Sequence, residues 1–292
     1  APSAPVKVKI AGLSLSSSYA VLPIFYAQEK GFFLSEGLEV EYIHMAMPSE
    51  AVQATLAGQV EFNSVGPPSL LAALDGAPLK IVMSIASRPS FYTISGPDVK
   101  SLQDLRGKTI GVGSLGSAQD LQVREALLLA GLDPSEDVKI IQLGGLPEAR
   151  VASFKQGKVD AISEIPPYAF MLMAEGYNVL IDHGKLFPNW IMNMLVTTQK
   201  MIDEKPEIVE KMVRAIVKGM DYAKTHKEES VSRYMDVLKI DQDLAGKTYD
   251  DAYTRWTPEF TYDQIRYVVA MQKKFLNKPE LPPEQLSDMR FI

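Results

Sequence analysis

Two short runs of serine and glycine each stand between a predicted strand and a predicted helix. They cover residues 12–18 (GLSLSSS) and 113–117 (GSLGS). Backbone amides at a helix start, together with serine hydroxyls, can bind an anion at the positive end of the helix dipole. The candidate ligand-binding residues are therefore Ser17, Ser18 and Tyr19 in the first turn and Ser114, Gly116, Ser117 and Ala118 in the second. Serine is also a common N-cap, so plain helix capping is the alternative.

Two charged residues stand at the ends of predicted strands. Arg88 follows the apolar run 79–86, which predicts a central strand buried on both faces. A guanidinium there could hold a carboxylate or sulfonate through two parallel hydrogen bonds. Glu164 ends a short predicted strand, where its carboxylate could accept hydrogen bonds from an amine, an amide or a pyrimidine ring. The alternatives are a surface arginine and a solvated loop acid.

Aromatic and small residues complete the candidate site. Tyr168 and Trp190, like Tyr19, could wall a flat or apolar ligand body or could pack in the core. Asn193 follows Trp190 closely and could hydrogen-bond to the same ligand. The remaining candidates lie in predicted loops: Met47, Ser64, Gly66 and Pro67.

The composition excludes several classes of site. The chain has 292 residues, a net charge of −6 with mixed signs and no cysteine. It therefore offers no thiolate metal site and no cysteine nucleophile, and nucleic acid is a poor partner. His44, His183 and His226 lack metal-ligand spacing, so we expect neither a metal nor a cofactor. Gly111, Gly113 and Gly116 spell G-x-G-x-x-G, but the expected ribose-binding acid falls in a predicted turn.

The elements that position these residues repeat once along the chain. Segments 48–68 and 147–167 share a glycine after their helix and a closing pair of prolines. Strands alternating with helices predict parallel α/β sheets. After about residue 195 the pattern becomes helical, with helices predicted at 205–224, 228–238, 243–255 and 262–276.

Ligands of parallel α/β sheets bind at the carboxyl ends of the strands. This rule collects five predicted loops around one cleft, at 14–19, 45–49, 64–68, 114–118 and 163–168, with 88–92 as the floor. The chain is expected to cross to a second lobe near 88–95 and to return near 189–198. Lobe one would then hold residues 1–90 and 196–292, and lobe two residues 91–195.

Residues 22–40 (LPIFYAQEKGFFLSEGLEV) carry a specific resemblance. They are similar to the P-x-x-x-A-x-E-K-G-F-F-x-x-E-G-L-x-V signature of nitrate/sulfonate/taurine-type substrate-binding proteins of ABC importers. Residues 104–112 (DLRGKTIGV) and the small-residue turn after them resemble a second run of that group. The resemblance covers about residues 6–195 and weakens in the helical tail.

The resemblance implies a two-lobed, type II periplasmic-binding-protein fold with a hinge, here followed by a helical C-terminal tail. It implies a monomeric, non-enzymatic solute-binding protein of the periplasm. Such a protein captures a small ligand and delivers it to an ABC permease. The two serine turns and Arg88 favour a small organic anion as that ligand (a sulfonate, a carboxylate or a related polar ring compound). The chain starts Ala1-Pro2-Ser3-Ala4, which fits the mature side of a signal-peptide cut or a trimmed chain.

Enzymes share this superfamily and provide the alternatives. A pyrimidine synthase of thiamine biosynthesis would use a cysteine-rich iron motif and a reactive histidine, and this chain has no cysteine. A menaquinone-pathway lyase would need a poised acid or base, for which Glu164 is the best candidate. A sensor domain or a ligand scavenger would carry the same binding loops as an importer component.

Overall fold

The computed structural model describes residues 4–15, 18–144 and 146–292. The chain forms two compact units. Unit 1 comprises Ala1–Ser87, Asn189–Lys239 and Ala252–Ile292, and unit 2 comprises Arg88–Pro188 and Ile240–Asp251.

The second segment of unit 2 differs from the sequence-based lobes, which assign all of 196–292 to lobe one. Ile240–Asp251 groups with unit 2 instead. A tertiary contact accounts for part of this grouping, since the Tyr92 hydroxyl donates a hydrogen bond to the Asp251 carboxylate at 3.0 Å. No linker-like sequence flanks Ile240–Asp251, so the sequence did not indicate that this segment groups with unit 2.

The strands supply two sheets. In chain order they are β1 (Val6–Gly12), β2 (Leu38–His44), β3 (Phe62–Asn63), β4 (Leu79–Ala86), β5 (Tyr92–Ser95), β6 (Thr109–Val112), β7 (Lys139–Gln142), β8 (Ala161–Glu164), β9 (Asn178–Asp182) and β10 (Asn193–Thr198). The unit 1 sheet has the order β2-β1-β3-β10-β4, and the unit 2 sheet has the order β7-β6-β8-β5-β9.

The two sheets have the same plan, as the sequence repeat predicts. In each, three adjacent strands pair in parallel: β1 with β2 and β3, and β6 with β7 and β8. The strand that follows each crossing of the chain is antiparallel to its neighbours. That strand is β10 in unit 1 and β5 in unit 2. Each crossing segment is therefore an integral part of a sheet.

Strand β4 is buried along almost its whole length, yet it is the last strand in its sheet order rather than a central one. Other backbone covers its outer edge. Isolated bridges join Ile81 to Ser287 and Ala86 to Trp256. The apolar sequence correctly predicted burial on both faces but not the position in the sheet, because edge coverage comes from the distant C-terminal segment.

The helices pack around these sheets. They are α1 (Leu22–Glu29), α2 (Phe32–Ser35), α3 (Pro48–Leu56), α4 (Gly66–Leu74), α5 (Ala118–Leu129), α6 (Pro147–Lys155), α7 (Tyr168–Ala174), α8 (His183–Leu186), α9 (Gln199–Glu204), α10 (Pro206–Thr225), α11 (Lys227–Leu238), α12 (Gln242–Tyr253), α13 (Tyr262–Leu276) and α14 (Pro283–Leu286). Among the described residues, none of these helices combines the length and the apolar character that a membrane crossing needs.

Unit 2 has a hydrophobic cluster on each side of its sheet. One contains Ile110 with Val123 and Leu127 of α5. The other contains Ile162 with Phe154 of α6 and Leu172 of α7. Helices thus cover both faces of the sheet, and the loops at its strand ends are the surface left for chemistry.

Candidate functional site

Two predicted ligand residues of unit 1 meet in the structure. The Asn193 side-chain amide donates a hydrogen bond to the Ser18 hydroxyl at 3.2 Å, although the residues are 175 positions apart. Ser18 directly precedes the 3-10 turn Tyr19–Val21, and Asn193 begins β10. Both residues are half-buried, so solvent reaches them. Ser17, predicted to act beside Ser18, lies outside the described residues.

The two aromatic candidates of unit 1 belong to its core. Tyr19 is 1% exposed and stands edge-on to Tyr234, whose hydroxyl donates to the Tyr19 carbonyl at 2.7 Å. Trp190 is fully buried and stands edge-on to Tyr267 at 6.1 Å between ring centroids. In this structure neither ring presents a surface to a ligand, in contrast to the sequence-based expectation of aromatic walls.

Two of the predicted loop residues, Ser64 and Gly66, also pack inward. Ser64 is buried against the Tyr42 hydroxyl, 3.4 Å away. A Cβ at Gly66 would lie 2.4 Å from the carbonyl oxygen of Met192, so this glycine permits close backbone approach. The half-buried Pro67 accepts a hydrogen bond from Gln272 through its carbonyl at 3.4 Å. Ser64 and Gly66 therefore shape the fold rather than a ligand-facing surface.

Met47 is the accessible exception among the loop candidates of unit 1. It is 47% exposed and directly precedes α3. The Glu50 carboxylate accepts a hydrogen bond from the Met47 backbone amide at 3.1 Å and from that of Ala46 at 3.0 Å. The loop is thus fixed while the thioether side chain remains in solvent.

The serine turn of unit 2 is internally hydrogen-bonded. The Gly116 amide donates to the buried Asp120 carboxylate at 2.8 Å. The Ser117 hydroxyl caps α5 by accepting from the Asp120 amide, and it donates to the Ser114 carbonyl at 2.7 Å. Ala118 then begins α5. The Asp120 carboxylate thus accepts the Gly116 amide hydrogen bond that was predicted to go to a ligand anion.

Neighbouring amides of this turn are also engaged. The Leu115 amide donates to the Gln142 side-chain carbonyl at 3.2 Å, and the Gly113 amide donates to that of Gln119 at 2.5 Å. The half-buried Ser114 and Ser117 keep contact with solvent. An anion at this turn would have to rely on hydroxyls and side chains more than on backbone amides.

Glu164 has a partner that the sequence analysis did not identify. Arg150 donates hydrogen bonds to both of its carboxylate oxygens, from Nε at 2.5 Å and from Nη2 at 3.0 Å. The Glu164 side chain is 0% exposed and that of Arg150 is 13% exposed. Burial raises the pKa of Glu164, and Arg150 opposes this by favouring the charged form. Glu164 is therefore a buried ion-pair member rather than an acceptor open to a ligand.

Tyr168 and Arg88 are the remaining candidates of unit 2. The half-buried Tyr168 hydroxyl donates to the exposed carboxylate of Glu148. Burial, followed by this acidic neighbour, raises the pKa of the Tyr168 phenol above its usual range. Arg88 is half-buried and is the first residue of unit 2. Its role in anion binding stays a prediction.

His183 forms a buried polar network in unit 2. Its Nδ1 lies 2.9 Å from Gln122 Oε1, and its Nε2 lies 2.8 Å from Thr93 Oγ1. Burial lowers the pKa of His183 to about 3, so the ring is neutral at physiological pH. In the described ranges, no three His, Cys, Asp or Glu side chains are grouped to hold a metal ion. The network therefore has a structural character.

The structure adds three residues that sequence reasoning did not select. Arg150 is one, and the others are Leu115 and Leu146, which are 51% and 66% exposed in the loops after β6 and β7. No sequence motif links Arg150 to Glu164, because folding alone brings α6 against the end of β8. The sequence shows Leu115 and Leu146 in loops that follow strands, but their exposure, which suggests an apolar ligand contact, is visible only in the structure.

A pocket of unit 1 lies away from all these candidates. It is lined by Lys80 and Gln199 together with Tyr262 and the C-terminal residues Glu284, Ser287, Asp288, Met289 and Arg290. Lys80 stands near the start of β4 and Gln199 follows the end of the antiparallel β10. The pocket therefore occupies the sheet edge opposite the carboxyl ends of the parallel strands.

Comparison with known sequences finds one protein family and several relatives named as binding proteins. The family model described as NMT1/THI5 like matches residues 19–230. A "Putative binding protein" of Brucella abortus (strain 2308) is 29% identical over 219 residues, which are 74% of this chain and 67% of that protein. The riboflavin-binding protein RibY of Chloroflexus aurantiacus is 27% identical over 275 residues, 89% of this chain and 77% of that one.

An enzyme also appears among these relatives. The 4-amino-5-hydroxymethyl-2-methylpyrimidine phosphate synthase THI13 of Saccharomyces cerevisiae is 25% identical over 308 residues. The match covers 91% of this chain and 86% of the yeast protein. Sequence similarity alone therefore spans both binding proteins and an enzyme.

Solved structures establish the fold. The alkanesulfonate-binding protein SsuA of Xanthomonas axonopodis pv. citri, bound to MOPS, has a TM-score of 0.80 at 14% identity and covers 98% of this chain and 100% of its own. The periplasmic aliphatic sulphonate binding protein SsuA of Escherichia coli also has a TM-score of 0.80, at 18% identity, with 96% and 97% covered. The periplasmic nitrate-binding protein NrtA of Synechocystis PCC 6803 has a TM-score of 0.76 at 14% identity, with 97% and 86% covered. The predicted periplasmic-binding-protein fold is confirmed.

Proposed function

Because this chain belongs to the NMT1/THI5-like family, we propose that it is a solute-binding protein that captures a small organic anion and delivers it to an ABC permease. The fold shared with sulfonate- and nitrate-binding proteins supports this assignment. So does the similarity to the Brucella and Chloroflexus proteins, which are named for binding rather than for catalysis.

The observation that carries the proposal is the hydrogen bond between Ser18 and Asn193. The Asn193 amide has two N–H donors and uses one on Ser18, whose hydroxyl keeps its own O–H to donate. Both side chains are uncharged donors, half-buried at the loop end of the unit 1 sheet. A polar pair of this kind suits recognition of an anion's oxygen atoms.

An enzymatic role receives less support from the same residues. Glu164 is the best acid or base candidate, but it is fully buried and both its oxygens accept from Arg150. General acid–base chemistry needs a group within hydrogen-bond reach of the reacting atom. The sequence also has no cysteine for an iron motif of the pyrimidine-synthase type. Binding without turnover fits these features better.

Export to the periplasm belongs to the same proposal, since the similar sulfonate- and nitrate-binding proteins are named as periplasmic. The test is fractionation of a host that expresses the whole gene. Release of the protein by osmotic shock is the expected result. Retention in the cytoplasm would contradict delivery to an importer and would favour the enzyme alternatives.

The binding claim is tested by calorimetry on Ser18 and Asn193. We expect Asn193→Asp, which adds a negative charge, to weaken an anion about 10-fold or more, and Ser18→Ala to weaken it by less. Ser35→Ala is the matched control, because that hydroxyl bonds within its own helix to the Phe32 carbonyl. Unchanged affinity in both Ser18 and Asn193 variants would remove this pair from the site.

A further inference from the structure

We propose that Arg150 binds the anionic group of the ligand in unit 2 and that the buried Glu164 is the positioning residue that orients its guanidinium. This inference rests on the proposed function and names a further anion-binding residue for it, in unit 2. It replaces the sequence-based interpretation in which Glu164 itself contacts the ligand.

The ion pair fixes one edge of the guanidinium. Arg150 donates from Nε and Nη2 to the two oxygens of Glu164, a bidentate arrangement that sets the plane of the group. Glu164 is 0% exposed, whereas Arg150 is 13% exposed. Because arginine has five N–H donors in a rigid planar fork, a carboxylate that holds two of them sets the orientation of the whole group.

The pair lies at the loop end of the sheet, where a ligand of this fold class is expected. Glu164 is the last residue of β8, and Gly113 directly follows β6. A Cβ added at Gly113 would lie 4.0 Å from both Cζ and Nη1 of Arg150. The guanidinium therefore lies against the serine turn that the sequence analysis singled out for anion binding.

The backbone amides of the serine turn are poorly placed to bind the anion themselves. The Gly113, Leu115 and Gly116 amides already donate to side chains of the same unit. Arg124 bonds to the buried Asp120, the residue that accepts from Gly116. The turn thus has little backbone left for an anion, while the Arg150 guanidinium stands beside it.

The surroundings indicate the class of ligand. Leu115 and Leu146 are exposed in the loops on the same edge of the sheet. The carboxylate of Glu148 is close enough to act on the charge of Glu164, but it is exposed and therefore screened by water. A planar guanidinium on a sheet edge that also carries two exposed leucines suits an organic carboxylate or sulfonate with a hydrocarbon body better than a small hydrated inorganic ion.

The test is calorimetric titration of wild-type protein and variants with ethanesulfonate, octanesulfonate, MOPS, octanoate and benzoate, using the tightest binder as the probe. Arg150→Met should weaken that probe at least about 30-fold, and Arg150→Lys, which retains the charge, should weaken it about 5- to 10-fold. Arg106→Met is the matched control. That arginine is also ion-paired in unit 2, with Asp137, but it precedes β6 at the opposite edge.

Glu164 has its own readout as a positioning residue. Glu164→Gln should weaken the probe when Arg150 is present and should have no further effect on Kd in an Arg150→Met background. A purely structural role would instead lower the melting temperature and leave Kd unchanged. Should Arg150→Met fold poorly, Arg150→Lys and the Arg150→Met/Glu164→Leu double variant supply the measurement.

The outcomes separate this inference from the proposed function. Wild-type binding that Arg150→Met leaves within twofold would overturn the inference and leave the function intact. Equal weakening by Arg106→Met would also overturn it. If the wild-type protein binds none of the anions, the proposed function fails and the inference falls with it.

Discussion

The Arg150 guanidinium and the Glu164 carboxylate form a bidentate ion pair that joins helix α6 to the end of strand β8. The Glu164 side chain is fully buried and that of Arg150 is 13% exposed. A buried carboxylate is costly unless it is paired, so the fold depends on Arg150 remaining in place. The same dependence holds the guanidinium at the loop end of the unit 2 sheet.

Loss of Arg150 should destabilise the protein because it leaves the buried Glu164 carboxylate without its ion-pair partner. We expect Arg150→Met to lower the free energy of unfolding by about 3–5 kcal/mol in urea denaturation at pH 7. Without its partner, the pKa of Glu164 rises further, so the folded state favours the protonated acid. The stability deficit should therefore shrink as the pH falls from 7 to 5.

A double variant checks the cause of that loss. Arg150→Met/Glu164→Leu removes both charges and should recover most of the stability lost by Arg150→Met alone. A double variant as unstable as the single one would mean that lost packing, and not an unpaired charge, explains the effect.

Gly66 should be required for folding rather than for ligand contact. A Cβ there would stand 2.4 Å from the Met192 carbonyl oxygen, so Gly66→Ala is expected to cost about 1–3 kcal/mol of stability. Gly246→Ala is the matched control, because a Cβ there meets no atom within 4 Å and helix α12 gains propensity. Equal melting temperatures for Gly66→Ala and Gly246→Ala in thermal denaturation would contradict the close-approach explanation.

His183 should make the protein sensitive to acid. Its pKa is about 3 in the fold and 6.5 when unperturbed, so the unfolded chain binds a proton that the folded chain does not. Stability contributed by the neutral ring is full above pH 6.5 and is lost as the pH falls towards 3. At pH 4.5 the loss from this one group is about 2–3 kcal/mol.

The measurement is urea denaturation between pH 7 and 4.5. His183→Gln should be less stable at pH 7, because the contacts with Thr93 and Gln122 are disturbed, but its stability should fall less steeply with acid. Parallel profiles for wild type and His183→Gln would show that other groups govern acid unfolding.

Local sequence signals predicted much of the fold. Helix α13 begins at Tyr262 as expected, because the Thr261 hydroxyl and the Gln264 side chain cap each other's backbone amides. The repeated strand order follows from a repeated sequence pattern. Such features depend on residues a few positions apart, which a sequence displays directly.

The site was less predictable because its chemistry depends on long-range pairing. The sequence marked Ser18 and Asn193 but not that they meet. It marked Glu164 as a ligand contact, whereas Arg150 takes both its oxygens. It suggested Trp190 as an aromatic contact for the ligand, whereas the structure buries this side chain against Tyr267. In each case the partner comes from another element.

The most direct test of the central claim is calorimetric titration of the wild-type protein with the panel of organic carboxylates and sulfonates. The buffer should be Tris chloride, because MOPS and HEPES are themselves sulfonates. Our account predicts saturable one-to-one binding of at least one anion, which is recovered chemically unchanged. The absence of binding across the panel, or conversion of a bound compound into a product, would contradict it.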